Sequence, residues 1–576
     1  MNVRDPIGTT SGRAWLALAA AWVIAVAGVV VWVARTPPPL LREQLKDAQF
    51  YSLELCGAVA LAGGVVLARD LWRSLDQRDI VTMAGLSALA LALTLLVAPR
   101  THRIFYDEQI YQGIGQNLSD LRRAQMCNDG IVEYGRLRCY ATEYNKQPYA
   151  YPHVLSLVYR VAGVRPGVAF GVNAIAMALT ACGVYLLAWL LFGDRVVAGF
   201  AGLLVTLTPQ QLMWSATAAV EPTASLACVV ALVAGLQAWR SGSVAALAGA
   251  VAMTAYAVQF RPESLLILPV LGVLAWRHRD GLGSWRLGWM SLLGFALLAV
   301  HVAHLFAVRN EGWGTSGSRL SLQYLWPNLH VNGPFYVADE RFPFIYTGLA
   351  AIGLVGRDRL TERAALLLYW LAFFGIDLLF YAGSYNYGAD VRYSLLTYPP
   401  IAVLGGIGAA RLVTWLGRWL PQKWERQAVT AGLLFQFLWY APLVRATTEE
   451  AWAARADVRF ARDVAAGLPP ASYVLTHNPA MFHIWGINAG QMSLATVNPL
   501  QIDYLGMRYP AGVYVHWNYW CNAADPTQQK YCVTALGIVP TTVVREYRER
   551  DYRFAFYRLS LPRRPDLGRA GSPSRP

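Results

Sequence analysis

Acidic residues are scarce in this chain, 35 Asp and Glu among 576 residues, so their placement is informative. The densest pair at the edge of an apolar run is Asp107-Glu108, in Arg103-Ile-Phe-Tyr-Asp-Glu-Gln-Ile-Tyr111, just after the apolar stretch 80–98. Adjacent carboxylates repel, which favours one ionised member and one held by hydrogen bonds. That arrangement suits a general base at a membrane surface, although the same residues also read as an ordinary solvated turn. Downstream lies Lys146-Gln-Pro-Tyr-Ala-Tyr-Pro152, a cation inside a Pro/Tyr segment of the kind that lies along the membrane interface. Glu221 precedes an apolar run, and Arg261 and Arg392 stand near the ends of others. An arginine at membrane depth costs at least about 2.5 kcal/mol, so each either meets an anion or snorkels to the interface. Lys146 and Arg309 are weaker candidates for the same anion-binding role. His301 and His304 share a helical face, but two histidines without a third ligand more often hydrogen-bond within a bundle than hold a metal.

The elements that must position these residues are membrane helices. Hydrophobic residues make up 56% of the chain and charged ones 15%, and the mean hydropathy is +0.33; a soluble domain carries about 25% charged residues. At about 20 apolar residues per crossing, thirteen spans are expected. They lie near 14–34, 50–68, 80–98, 167–192, 196–212, 218–239, 243–259, 262–276, 285–307, 344–355, 364–382, 393–412 and 427–443. The first is read as a retained anchor because it exceeds the h-region of a signal peptide. Every second connection is short and basic (Arg69/Arg73/Arg78, Arg195, Arg240, Arg277/Arg279/Arg286, Arg357/Arg359/Arg363, Arg411/Arg418/Lys423/Arg426), which puts the N-terminus in the cytoplasm. The net charge of +14 is thereby assigned to topology rather than to nucleic acid, which is not expected as a partner. The loops 99–166 and 308–343 and the chain from 444 onward are then exoplasmic. Cys127/Cys139 and Cys521/Cys532 fall in these outside segments and are expected as two local disulfides, with four separate thiols as the alternative.

The division expected is two additional helices and a cytoplasmic loop over 1–79, a membrane body over 80–443, an exoplasmic α/β domain over 444–561 and a disordered tail over 562–576. An amphipathic helix over 450–468 and strands at 472–476, 512–516, 541–544 and 553–559 support the α/β assignment.

The order of these pieces resembles the GT-C superfamily of membrane glycosyltransferases, in particular the protein mannosyltransferase and lipid A aminoarabinose transferase group. The resemblance rests on Asp107-Glu108 in the first large outside loop, the Lys146 segment, Glu221, Phe260-Arg-Pro-Glu263, Asp390-Val-Arg-Tyr-Ser-Leu-Leu-Thr-Tyr-Pro-Pro400 and the stretch from Ala461 to Pro479. It covers roughly residues 80–485, and the two spans before residue 80 are additional to the usual core. It implies a polytopic all-α fold with a C-terminal α/β domain, and an inverting hexosyl- or pentosyltransferase of the cell membrane. The donor implied is a polyprenyl-phosphate-linked sugar, and the acceptor a hydroxyl of a glycan, lipid or protein. In that reading Asp107 is the base and Glu108 and Glu221 orient substrates. Arg261, Arg392, Lys146 and Arg309 meet the donor phosphate, while Tyr106, Tyr111 and Tyr393 contact substrate. No cofactor is expected, and no divalent metal is required by the sequence. A lipid-linked glycan polymerase or ligase is the nearest alternative, and a transporter or flippase a more distant one.

Overall fold

A computed structural model describes residues 12–276, 284–312, 317–386, 391–421, 424–446, 451–497, 500–523 and 525–561. Arg277, Arg279, Asp390, Lys423 and the tail 562–576 lie outside them. The chain forms two compact units. One takes in the residues up to Arg103, Tyr144–Leu155 and Gly167–Glu450; the other takes in Ile104–Glu143, Ser156–Pro166 and the chain from Ala451.

The first unit is helical, and each of the thirteen apolar runs lies in helix. Among the described residues, eight helices are long and apolar enough to cross a membrane, or nine if Arg195–Thr206 and Pro209–Ser215, bent by 59° at the break between them, count as one span. The chain is a multi-pass membrane protein. Among the remainder, Phe344–Leu354 has 11 residues, about 16 Å of helix against a hydrocarbon core of about 30 Å. Leu360–Leu379 carries Glu362, Arg363 and Asp377 within an otherwise apolar sequence.

Local chemistry starts these helices where they start. Gln77–Leu96 opens on a capping box in which Asp76 accepts from the backbone of Arg78 and Asp79, and Asp79 accepts from the backbone of Asp76. The side chain of Arg195 then reaches Asp76 at 2.6 Å and Asp79 at 2.9 Å, and Tyr185 donates to Asp79 at 2.6 Å, so three helices are tied at one end. Elsewhere small residues allow close approach. A Cβ on Gly63 of helix Pro38–Trp72 would lie 2.1 Å from Cα of Gly249 in helix Val244–Phe260, so these two backbones meet with no side chain between them.

The second unit is built on one mixed sheet: β1 (Met126–Glu133), β2 (Arg136–Glu143), β3 (Tyr473–Thr476), β4 (Asn488–Gln491), β5 (Val513–Trp517), β6 (Thr541–Glu549) and β7 (Tyr552–Leu559), in the order β2-β1-β4-β3-β5-β7-β6. β3 pairs in parallel with β4 and β5; the other pairs are antiparallel. Side chains alternate as period 2 requires. Tyr473, Leu475, Val513, Val515, Tyr557 and Leu559 fill one face. Val474, Tyr514, Phe554 and Phe556 fill the other, where Phe460 and Val464 of helix Trp452–Ala465 cover them. Both disulfides are formed, Cys127–Cys139 across the β1–β2 hairpin and Cys521–Cys532.

The domain expected over 444–561 therefore extends further. The hairpin in the loop 99–166 supplies two of the seven strands found among the described residues, with Asp129 opposite Gly490 and Gly130 opposite Ala489. Neither strand was expected, because Met-Cys-Asn-Asp-Gly has no alternation of apolar and polar residues, and its pairing partner lies some 360 positions away.

Candidate active site

In the helical unit, Pro262 ends helix Val244–Phe260, since it cannot donate to the next helical turn. Arg261 is left in an extended conformation as the cap. Glu221 and Pro222 open helix Glu221–Ser241, a position where the helix dipole favours a carboxylate. Arg392 and Tyr393 begin the short helical turn Arg392–Thr397 that leads into helix Tyr398–Leu416. These three chain breaks bring four expected site residues together. Arg261 Nη1 donates to Glu221 Oε1 at 2.7 Å, and Arg392 Nε lies 3.7 Å from the same oxygen. The guanidinium carbons of Arg261 and Arg392 stand 4.7 and 4.9 Å from the centre of the Tyr393 ring, within cation–π range.

Glu263, which the sequence reading left without a role, pairs with Arg261 Nε. The cluster thus includes Arg261, Arg392, Glu221 and Glu263. Glu221 is 2% exposed, and its Oε2 is buried with no hydrogen-bond partner among the described residues. The Phe-Arg-Pro-Glu263 segment itself carried the signal for Glu263, an acid two residues from a buried arginine.

Lys146 and Arg309 belong to a different cluster of the same unit. Lys146 donates to the carbonyl of Gly312. Arg319 donates to the carbonyls of Arg309 at 2.9 Å and of Val308 and Glu311 at 3.3 Å, and Arg42 pairs with Glu311 at 3.2 Å. Lys146, Arg319 and Arg42 thus converge on the backbone of residues 307–312, where Glu311 pairs with Arg42. His304 bonds Tyr144 at 2.8 Å. The one grouping of three potential metal ligands among the described residues is His477, Cys521 and Cys532, and both of its sulfurs are in the disulfide.

Asp107, Glu108, Tyr106 and Tyr111 lie in the second unit. Asp107 and Glu108 occupy the first turn of helix Asp107–Asp120. Glu108 is fully buried and its Oε1 accepts from the backbone N of Ile104 at 3.0 Å, whereas Asp107 is only partly buried. The tyrosines differ from expectation: Tyr111 is buried, and Tyr106 is buried with its hydroxyl donating to Asp457, so neither presents a ring for stacking. Asp457 was not singled out, yet its position was legible: it falls on the apolar stripe Ala453, Asp457, Phe460, Ala461, Val464, one helical face.

Residues 146–306 match the family described as dolichyl-phosphate-mannose-protein mannosyltransferase. The structure of ArnT from Cupriavidus metallidurans bound to undecaprenyl phosphate is similar over 84% of this chain and 98% of that chain, with a TM-score of 0.53 and 16% identity. The chain has the GT-C glycosyltransferase fold. The apo state of the same ArnT matches with a TM-score of 0.52 and 16% identity over 83% of this chain and 97% of that one. An Archaeoglobus fulgidus oligosaccharyltransferase tethered to an acceptor peptide matches at a TM-score of 0.47 and 12% identity, over 84% of this chain and 74% of that chain. No curated protein matches the sequence. Within the GT-C fold of this chain, the family match takes in Lys146, Glu221 and Arg261 and stops three residues short of Arg309.

Proposed function

We propose that this chain is an inverting glycosyltransferase that moves a sugar from a polyprenyl-phosphate donor to an acceptor hydroxyl at the exoplasmic face of the membrane. The observation that carries the reading is the convergence of Lys146, Arg319 and Arg42 on residues 307–312, set in a strongly apolar helical body. An apolar chain ending in a phosphate is the complement of that arrangement. The fold supports it, since the ArnT of similar fold is described as bound to undecaprenyl phosphate.

In the proposed reaction the acceptor oxygen attacks the anomeric carbon, the bond from that carbon to the phosphate oxygen breaks, and polyprenyl phosphate leaves with the bonding pair. Asp107 takes the proton of the acceptor hydroxyl, a role worth about 10²- to 10⁴-fold in rate. Lys146 and Arg309 stabilise the charge that develops on the leaving phosphate, which needs no proton to depart. Arg261 pairs with Glu221 and Glu263, and Arg392 stands beside the same oxygen of Glu221. They act mainly by holding Glu221, whose unpartnered oxygen then orients a sugar or acceptor hydroxyl. The alternation of basic connections supports a cytoplasmic N-terminus and an exoplasmic sheet domain, and the two disulfides are in keeping with an oxidising compartment.

The test is transfer by purified protein from a panel of labelled polyprenyl-phosphate sugars into membrane extract, with Asp107→Asn in parallel. Transfer from one donor, lost in a folded Asp107→Asn protein, is the expected result. Full transfer by that variant would remove Asp107 as the base, and labelled donor crossing the bilayer unchanged would favour a flippase.

A further inference from the structure

The C-terminal part of the sheet domain has no role in the scheme above, yet it holds the residue next to the proposed base. Tyr106 is the residue before helix Asp107–Asp120, and its carbonyl accepts from the backbone N of Gln109 and Ile110, at 3.1 and 3.0 Å. Its side chain runs into the domain core, where the hydroxyl donates to Asp457 Oδ2. The other oxygen of Asp457 meets His516 Nε2 at 2.9 Å, and His516 Nδ1 meets Thr476 Oγ1 at 3.1 Å. The backbone N of Tyr519 also points to Asp457, at 3.4 Å. Asp457, His516 and Thr476 are each fully buried. Burial and the neighbouring Asp457 push the Tyr106 hydroxyl well above its ordinary range, so the phenol keeps its proton and acts as donor. On the other side of Asp107, Glu108 turns back to the backbone of Ile104. The residues flanking Asp107 are thus both fixed through their side chains, while Asp107 itself keeps partial access to solvent.

We propose that Asp457 is a positioning residue for the transfer reaction: through Tyr106, and braced by His516, it fixes the helical turn that presents Asp107. This inference rests on the reading of Asp107 as the base. A buried polar network that only stabilised the domain would have no reason to terminate on the residue preceding that base. Buried networks hold a single geometry when every member is satisfied, and a misplacement of about 1 Å at a reacting group can cost about 10²-fold in rate.

The test compares wild type, Tyr106→Phe, Asp457→Asn and their double variant in the full-length, detergent-purified protein, with Asp107→Asn alongside. Tyr106→Phe keeps the ring and removes only the hydroxyl. The expected result is a fall of about 10- to 100-fold in kcat for each single variant, with donor and acceptor KM within about twofold of wild type. The double variant should fall no further than the worse single one, because both break the same link. Unfolding temperature and disulfide content, read on the same samples, identify a variant that has lost its fold; should Asp457→Asn do so, Tyr106→Phe decides alone. Wild-type kcat in a folded Tyr106→Phe protein, with Asp107→Asn inactive, would overturn the positioning role and leave the base assignment standing. An active Asp107→Asn protein would overturn both.

Discussion

Replacing Lys146 and Arg261 separately by methionine should separate a cation that meets the donor from one that holds the protein together. Methionine retains an unbranched apolar stem, so the comparison isolates the charge. Arg261 is 14% exposed and Glu221 2%, and removing one partner of a buried pair costs about 3–5 kcal/mol. Arg392 remains 3.7 Å from the same Glu221 oxygen and offsets part of this, which leaves a loss of about 2–4 kcal/mol in stability. Lys146 donates to the carbonyl of Gly312, and in the proposed reaction its charge meets the donor phosphate. A charge-assisted hydrogen bond to phosphate is worth about 1.5–3 kcal/mol, so Lys146→Met should raise the donor KM about 10- to 150-fold with little change in unfolding temperature. Arg261→Met should lower the unfolding temperature clearly and change donor KM less than Lys146→Met does. The assays are steady-state transfer against donor concentration and thermal unfolding in detergent. This division of roles is refuted if Arg261→Met unfolds at the wild-type temperature with a donor KM raised tenfold while Lys146→Met leaves that KM unchanged.

Two further outcomes follow from packing and burial. Gly63→Val places two methyl groups where the backbone of Gly249 already lies, so helices Pro38–Trp72 and Val244–Phe260 must separate; the variant should lose monodisperse elution after detergent extraction, whereas Gly28→Val, with open space at its Cβ, should elute as wild type does. Burial pushes the imidazoles of His477 and His483 down to about 4, below the value of about 6.5 for a free histidine. On acidification the unfolded chain therefore binds protons first, and stability that is full above pH 6.5 falls as pH drops toward 4. At pH 5.5 each contributes a loss of about 1 kcal/mol, visible as a lower unfolding temperature; in a folded His483→Gln variant this pH dependence should shrink, and an unchanged slope would contradict the burial argument.

Much of the membrane body was legible because hydropathy and arginine placement report a solvent rather than a partner. All thirteen apolar runs lie in helix, and Arg261, Arg392, Glu221 and Tyr393, chosen at span ends, lie within one cluster. What escaped the sequence depends on pairings between distant segments. Strand β1 reads as a loop until β4 lies beside it. Tyr106 sits where an interfacial tyrosine would, and only Asp457, 351 positions away, makes it a buried anchor. The separation of the Arg261 cluster from the Lys146 cluster needed Glu263, Glu311 and Arg42 to be located.

The order in which the sheet receives its strands sets a timetable for biogenesis. The β1–β2 hairpin closes over a separation of 12 residues through Cys127–Cys139, so it can form as soon as residues 126–143 are made. Its remaining edge must then wait for β4, a stretch in which most of the membrane helices are still to be made. Closing so long a loop is slow, and an exposed strand edge is prone to wrong pairing. A ribosome that stalls just after helix Trp424–Arg445 would leave the helices of the first unit made, with that edge unpaired and Tyr106 without Asp457. Quality control of this protein is thereby placed after its helices are made, and truncations that remove Asp457 and β4 should be degraded rather than accumulate as inactive membrane bodies.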